Sequence, residues 1–151
     1  MNVDILVGRN GATKHKHEGD GKTPLGIFEL GIVFGTHERS EINLDKSMKY
    51  IKVTPNLYWV DDVNSIYYNQ LVDNARTAKA WSSAEHLIEY PVQYEYAVEI
   101  KSNPENIPGK GSAIFLHCSN GKSTAGCVAL MKEDVIKLLS KLDKNSKIII
   151  I

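Results

Sequence analysis

Short β-prone segments alternate with turn-forming residues along the chain, and this pattern constrains the fold most. Stretches rich in Gly, Pro and Asn separate six such segments, namely VDILVG, IFELGIVF, MKYIKVTP, VQYEYAVEI, SAIFLH and SKIIII. Runs of this length, bounded in this way, predict strands. In VQYEYAVEI, alternation would place Tyr94, Tyr96, Val98 and Ile100 on one face of a strand. SAIFLH and SKIIII are almost entirely apolar, which predicts strands buried on both faces.

Two segments carry helical patterns instead. KEDVIKLLSKLD has apolar residues at helical spacing and two acidic residues in its first turn, where the helix dipole favours negative charge. SSAEHLIEY is a shorter helix candidate, which a serine could cap and which ends before Pro91. Strands outnumber helices, so the sequence predicts a mainly β fold with one or two packed α-helices.

Length and charge limit the function classes. The chain has 151 residues, which predicts one domain over residues 1–151. It carries 18 Lys plus Arg and 18 Asp plus Glu, so nothing in its charge indicates nucleic acid or an anionic membrane as a partner. No apolar run reaches the roughly 18 residues of a membrane span. The start, NVDILVGRNG, lacks the features of a signal peptide, so we expect a cytoplasmic protein or a trimmed form of an exported one.

The segment HCSNGKSTAGC, residues 117–127, contains candidates for three kinds of chemistry. A phosphate loop would require glycine five positions before Gly-Lys-Ser or Gly-Lys-Thr. Leu116 occupies that position for GKS at 121–123, and Lys16 occupies it for GKT at 21–23. Both runs are therefore interpreted as turns.

A metal site is the second possibility. His117, Cys118 and Cys127 are suitable ligand types, but neighbours on a strand point to opposite faces, so His117 and Cys118 cannot easily hold one ion. The two cysteines could instead pair if the loop folds back. The segment HKHEGDG could bind a cation, but we interpret it as a hydrated polar loop. Its candidate ligands are His15, His17, Glu18 and Asp20. We predict no metal and no cofactor.

A thiol nucleophile is the third possibility. A cysteine needs a base or a positive environment to lower its pKa from about 8.5. His117, at the end of a predicted strand, could be the base for Cys127. Gly126 lacks a Cβ and would let a substrate carbonyl approach, and the Cys127 amide could contribute to an oxyanion hole. On spacing alone, a structural role for the pair stays open.

The segment GSAIFLHCSNGKSTAGCVAL resembles the active-site segment of the L,D-transpeptidase catalytic domain family, also called YkuD-like. That family carries a histidine, a short insert and then Ser-His-Gly-Cys. EGDGKTPLGIF resembles the family's upstream Thr-Pro-x-Gly-x-Phe stretch, here Thr23, Pro24, Gly26 and Phe28. WVDD, YYNQLV and SAEHL are similar to a branch with its own linking motifs. The resemblance runs from about Val7 to the end of the chain.

The resemblance implies a fold of β-sandwich-like mixed sheets, with Cys127 as nucleophile, His117 as base and Gly126 in the nucleophile turn. A backbone carbonyl, rather than a carboxylate, would orient the histidine. The implied reaction is acyl transfer on peptidoglycan stem peptides, which serve as donor and acceptor. A thioester on the cysteine would form with release of a terminal D-amino acid and then pass to an amine.

Two other functions stay open. The same thioester could be hydrolysed, which would make the protein a carboxypeptidase or endopeptidase, or the chain could be a non-catalytic cell-wall binding module. The implied substrate lies outside the cytoplasm, so we expect a mature or trimmed form, acting as a monomer.

The chain also departs from the family pattern. Thr124 and Ala125 replace the Ser-His pair, and Ala129 replaces an arginine that often lies two positions after the cysteine. Cys118 should point into the core, away from the base. We expect substrate contacts from five residues, namely Ser123, Thr124, Trp59, Tyr68 and Asn69.

Overall fold

A computed structural model describes residues 2–151 and confirms the mainly β fold. In these residues, one α-helix, α1 (Lys132–Leu139), accompanies the strands. The strands are β1 (Ile5–Leu6), β2 (Ala12–Thr13), β3 (Thr23–Pro24), β4 (Gly26–Gly35), β5 (Tyr50–Lys52), β6 (Leu57–Val60), β7 (Leu71–Asp73), β8 (Ala84–His86), β9 (Tyr96–Ile100), β10 (Phe115–Cys118), β11 (Val128–Leu130) and β12 (Lys147–Ile150). No helix in the described part of the chain is long and apolar enough to cross a membrane.

A mixed seven-stranded sheet organises the molecule. Its order is β1-β11-β10-β9-β4-β12, and β5 pairs with β4 as an additional strand. β10 and β11 are parallel, and their register places His117 beside Ala129. A three-stranded sheet has the order β7-β6-β8, and β2 and β3 form a small parallel pair. The segment of residues 117–127 therefore connects two adjacent strands of the main sheet, β10 and β11.

The main sheet has a hydrophobic cluster on each face. Val135 and Leu139 of α1 pack with Leu116, Cys118 and apolar residues of neighbouring strands on one face. Apolar spacing on α1 was the sequence signal for this packing, and both α1 residues are buried. This arrangement confirms the predicted helix and places Cys118 in the core.

The three-stranded sheet covers the other face. Trp59 of β6 packs there against Phe34 and Phe115 of the main sheet, and Cys127 belongs to the same cluster. Successive residues of β10 thus alternate between the two clusters, because side chains of a strand point to opposite faces. All four residues of β10 are buried, as the apolar run predicted.

The predicted helix at SSAEHLIEY is wrong. Residues 84–86 form β8, and Leu87–Glu89 form a short 3-10 helix. β8 pairs with β6, with Tyr58 opposite His86 and their rings stacked at 4.3 Å. Leu87 is buried beneath this sheet. Pairing with a distant strand therefore outweighs the local capping signal.

Two strand predictions also need correction. Gln93–Glu95 form a 3-10 turn before β9, so Tyr94 joins the Trp59 cluster instead of sharing a face with Val98. β12 is not buried on both faces. It lies at the edge of the main sheet and pairs with β4, and 63% of Ile149 is exposed.

Candidate active site

Cys127 lies immediately before β11, with its thiol buried against the start of β10. The Phe115 N–H donates to the Cys127 Sγ at 3.3 Å, and the thiol donates to the Ala113 carbonyl at 3.3 Å. Burial raises the pKa of Cys127 to about 12, and the nearby negative charge of Glu85 adds to the rise. The resting side chain is therefore a protonated thiol held by backbone groups.

The turn before Cys127 is held by two threonines. The Thr124 hydroxyl donates to the Cys127 carbonyl at 2.7 Å and accepts the Gly126 N–H at 3.0 Å. Thr23 is fully buried; its hydroxyl accepts the Gly8 N–H at 2.8 Å and lies 3.4 Å from the Cys127 carbonyl. Thr23 belongs to β3, so the interpretation of GKT as only a turn is wrong.

Gly126 has a φ of 144°, a conformation that residues with a side chain rarely adopt. A Cβ there would lie 2.9 Å from the Lys22 carbonyl oxygen and 3.4 Å from the Lys16 ammonium. The backbone of the loop that carries Lys16 and Lys22 thus packs directly on the turn before Cys127. Only glycine fits this position without displacement of that loop.

His117 is held in one orientation by its own chain. Its Nδ1 lies 2.8 Å from the Cys118 carbonyl oxygen. A carbonyl can only accept, so Nδ1 carries the proton and Nε2 of the neutral ring has a free lone pair. Burial lowers the pKa of His117, while the carbonyl contact opposes that decrease. The histidine is therefore neutral near pH 7 and can act as a base.

His117 and Cys127 project from the same face of the main sheet. His117 of β10 lies beside Ala129 of β11. Cys127 precedes Ala129 by two residues, so it is displaced from the level of His117 by roughly 6–7 Å along the strand direction. The Tyr94 ring packs edge-on against the imidazole at 5.6 Å. No hydrogen bond between described residues joins the two side chains, so the thiol would have to turn from Ala113 toward His117 to transfer its proton.

Cys118 lies on the opposite face. Its thiol donates to the Tyr96 carbonyl at 3.5 Å, and burial raises its pKa to about 11. Both cysteines are free. The expected orientation of Cys118 into the core agrees with this packing, and the suggested pairing with Cys127 does not occur.

A cavity of about 200 Å³ opens beside Cys127. Its charged lining consists of one ammonium, from Lys16, and three carboxyl groups, from Glu18, Asp61 and Glu85. Lys16 forms an ion pair with Asp20, and its charge lowers the pKa of Cys127. The cavity therefore combines a buried thiol, a cation that favours its thiolate and an acidic wall.

The family model that describes the L,D-transpeptidase catalytic domain, YkuD, matches residues 1–150. The chain belongs to this family. No curated protein and no solved structure matches the chain. Members of the family are acyltransferases that act on peptidoglycan stem peptides, typically outside the cytoplasm.

The acidic wall of this family member was missed from sequence. Glu18 lies in a segment interpreted as a hydrated loop, yet its carboxylate accepts hydrogen bonds from Tyr68 and Ser112. The helix predicted at SSAEHLIEY would contain Glu85, whereas this residue lies on β8. These residues come from separate segments, and no local pattern links them to Cys127. In residues 2–151, no group of three or more His, Cys, Asp and Glu side chains is arranged to hold a metal.

Three of the residues predicted to contact substrate do not line this cavity, and two of them, Trp59 and Asn69, line a separate one of about 290 Å³. Trp59 and Tyr68 are each 2% exposed. The Asn69 Oδ1 accepts the Trp59 indole N–H and the Ala113 N–H, both at 3.1 Å. Asn69 thereby fixes the segment whose Ala113 carbonyl accepts a hydrogen bond from the Cys127 thiol. Direct contact of these residues with substrate stays a prediction.

The other two predicted contacts lie in the loop before Cys127. Ser123 is exposed, and the Thr124 hydroxyl is engaged within the turn. Ala125 lines the cavity with only a methyl group.

Proposed function

We propose that the protein is an L,D-transpeptidase in which Cys127 is the nucleophile and His117 the base. One observation carries the proposal: the thiol and a histidine with fixed tautomer project from the same sheet face, and the thiol borders a cavity. Cys118 packs on the α1 side of the sheet and is not among the residues that line this cavity. Membership in the YkuD family supports acyl transfer on peptidoglycan stem peptides.

The first half-reaction acylates Cys127. The thiol proton moves to His117 Nε2 as the sulfur attacks the carbonyl of the donor stem. Collapse of the tetrahedral intermediate breaks the C–N bond, and His117 returns the proton to the departing amino group of the terminal D-amino acid. The product is a thioester on Cys127. The Cys127 N–H is the expected oxyanion donor, because it adjoins the carbon under attack.

The second half-reaction releases the acyl group to an acceptor. An amine from another stem forms a cross-link, whereas water yields a trimmed stem. The raised pKa of Cys127 bears on both halves, because a free thiolate is scarce and proton transfer has to accompany attack. Lys16 is the cation beside the cavity that favours the developing thiolate.

Intact-mass measurement with a carbapenem tests the nucleophile. The family resemblance implies that this reagent acylates the catalytic thiol, and we expect one adduct, which peptide mapping places on Cys127. Cys118→Ala is the matched control and should form the adduct at the wild-type rate. Absence of an adduct, or an adduct on Cys118, contradicts the assignment.

A stem tetrapeptide tests the reaction. Wild-type protein should release the terminal D-amino acid, and Cys127→Ala and His117→Ala should each abolish that release. If His117→Ala keeps most of the activity, the proposed base is wrong. Mass analysis of the products separates a cross-linked dimer, which marks transpeptidation, from a tripeptide, which marks hydrolysis. A stem that is bound but never cleaved indicates a binding module.

A further inference from the structure

Glu85 is a carboxylate of the Cys127 cavity to which the acylation step assigns no part. It lies in the middle of β8, paired with Trp59 of β6, and its side chain lines the cavity together with that of Cys127. Its charge acts on the thiol, since it is among the causes that raise the Cys127 pKa. The position is thus set by strand pairing and not by a mobile loop.

The two carboxylate oxygens of Glu85 have different environments. The Tyr94 hydroxyl donates to Oε2, whereas Oε1 has no hydrogen bond among the described residues. In residues 2–151, no buried side-chain oxygen lacks a partner. Oε1 is therefore accessible, and the cavity is the space that Glu85 lines. Glu85 therefore has one acceptor oxygen without a partner among the described residues, and its side chain lines the cavity that Cys127 also lines.

The surroundings of Glu85 are predominantly acidic. The titratable groups that face it or act on it are those of Asp61, Glu18, Tyr90, Tyr94, Cys127 and Lys16. Burial raises the pKa of Glu85 to about 7; the Tyr94 hydrogen bond opposes the rise, and the charges of Asp61 and Glu18 add to it. The Lys16 ammonium is already paired with Asp20. A cation that enters would be attracted, and a carboxyl group with this pKa exchanges protons readily at neutral pH.

An amine acceptor needs a nearby group that can take a proton from it at neutral pH. Side-chain amines have a pKa of about 10.4 and α-amines one near 8, so the acceptor arrives largely as an ammonium ion without a nucleophilic lone pair. His117 transfers one proton from the attacking nitrogen to the departing sulfur. The ammonium carries one further proton, and that proton has to leave before attack.

We propose that Glu85 is a catalytic residue of the second half-reaction and that its Oε1 takes this proton from the acceptor ammonium. R–NH₃⁺ and the carboxylate become R–NH₂ and a carboxylic acid. The nitrogen then attacks the thioester carbonyl, the C–S bond breaks, and a second proton passes through His117 to the Cys127 sulfur. Glu85 finally releases its proton to water. This inference rests on the proposed function and deepens it, because it names the group that deprotonates the acceptor.

The test uses Glu85→Gln with a stem tetrapeptide that carries a diamino acid, as both donor and acceptor. The variant should form the carbapenem adduct at least as fast as wild type, because loss of the Glu85 charge lowers the Cys127 pKa, and it should still hydrolyse donor to tripeptide. Its dimer-to-tripeptide ratio at pH 7 should fall roughly 100-fold. Between pH 7 and pH 9 that ratio should recover by roughly tenfold per pH unit, following the free amine, while the wild-type ratio rises far less.

Three outcomes overturn the inference while the thioester function stands. In the first, Glu85→Gln keeps the wild-type ratio of dimer to tripeptide. In the second, this variant forms less dimer and less tripeptide in equal proportion. In the third, acylated wild-type protein forms tripeptide and no dimer. Absence of any Cys127 adduct in wild type contradicts the proposed function itself, which distinguishes the two failures.

Two further variants keep the test decisive. Glu89→Gln, on the exposed side of the neighbouring 3-10 helix, is the matched control and should keep the wild-type ratio. Glu85→Asp retains a carboxylate and should give an intermediate ratio with no adduct defect. If Glu85→Gln does not fold, a Glu85→Asp ratio equal to that of wild type at every pH overturns the inference.

Discussion

The carbonyl oxygen of Lys22 lies 2.9 Å from the position that a Cβ on Gly126 would occupy. The loop that carries Lys16 and the turn that carries Cys127 therefore meet through backbone atoms. Because Gly126 also has a φ of 144°, a side chain there adds strain to a steric clash. The position of Cys127 thus depends on contact between segments about a hundred residues apart.

Gly126→Ala should destabilise the protein by about 3 kcal/mol or more, because strain and clash act together. It should also slow carbapenem acylation, since relief of the clash displaces Cys127. Urea unfolding and intact-mass kinetics measure the two effects. Gly121→Ala is the matched control: its φ of 82° lies in the same loop, but a Cβ there meets no atom within 4 Å. It should cost about 1–2 kcal/mol without slowing acylation, and equal behaviour of the two variants contradicts the prediction.

Asn69→Ala should cost about 2–4 kcal/mol, because the buried Trp59 indole N–H and the Ala113 N–H lose their acceptor. The Ala113 carbonyl, which accepts a hydrogen bond from the Cys127 thiol, should then be less firmly held. Urea unfolding gives the first effect, and the rate of thiol alkylation should rise in parallel. Asn106→Ala is the control, because Asn69 and Asn106 both have a positive φ. The Asn106 side chain accepts one hydrogen bond, from the Asn69 amide, and so its loss leaves fewer groups without a partner. A smaller loss in Asn69→Ala than in this control contradicts the assigned role.

Lys16→Met should raise the pKa of Cys127 further, because the nearby positive charge is removed while the volume is largely kept. We expect carbapenem acylation at pH 7 to slow roughly three- to tenfold. Intact-mass measurement of samples quenched at successive times gives the acylation rate. Lys14→Gln removes an exposed charge two residues away and should leave it unchanged. If both variants react at the wild-type rate, Lys16 does not favour the thiolate.

Stability should depend on pH through Glu85. Its folded pKa, about 7, lies above the ordinary value of 4.5, so the folded state binds the proton more tightly than the unfolded state does. The stabilisation is therefore complete below about pH 4.5 and is lost as pH rises through 7. Relative to Glu85→Gln, the wild type should lose on the order of 3 kcal/mol between pH 4.5 and pH 8. Urea unfolding at each pH gives the free energy of unfolding of both proteins. If that free energy changes with pH equally in wild type and Glu85→Gln, Glu85 does not have a raised pKa in the folded state.

The sequence predicts best where the local pattern and the tertiary environment agree. β10 and α1 are continuous apolar or amphipathic runs, and both form as expected. β8 was mispredicted, because two serines and an acidic residue resemble a helix start, whereas β6, some 25 residues earlier in the chain, determines its conformation. Several strands of two residues exist only through their partners and have no periodicity to detect.

The candidate site likewise contains residues that a local pattern predicts and residues that only the fold brings together. His117, Gly126 and Cys127 lie within eleven residues, so one motif indicates all three. Lys16 and Glu85 reach the cavity from distant loops and strands, and only the packed fold brings them to the thiol. The polar composition of their segments is equally compatible with a hydrated surface. Tertiary contacts, not residue types, distinguish the two interpretations.

The placement of Cys118 and Cys127 on opposite faces of the main sheet has a consequence for oxidative damage. A disulfide requires Cβ atoms that face each other at short range, and here the sheet lies between the thiols. If Cys127 is oxidised to a sulfenic acid, the described chain contains no resolving thiol that can reach it. Recovery of the Cys127 thiol then depends on a reductant small enough to enter a cavity of about 200 Å³.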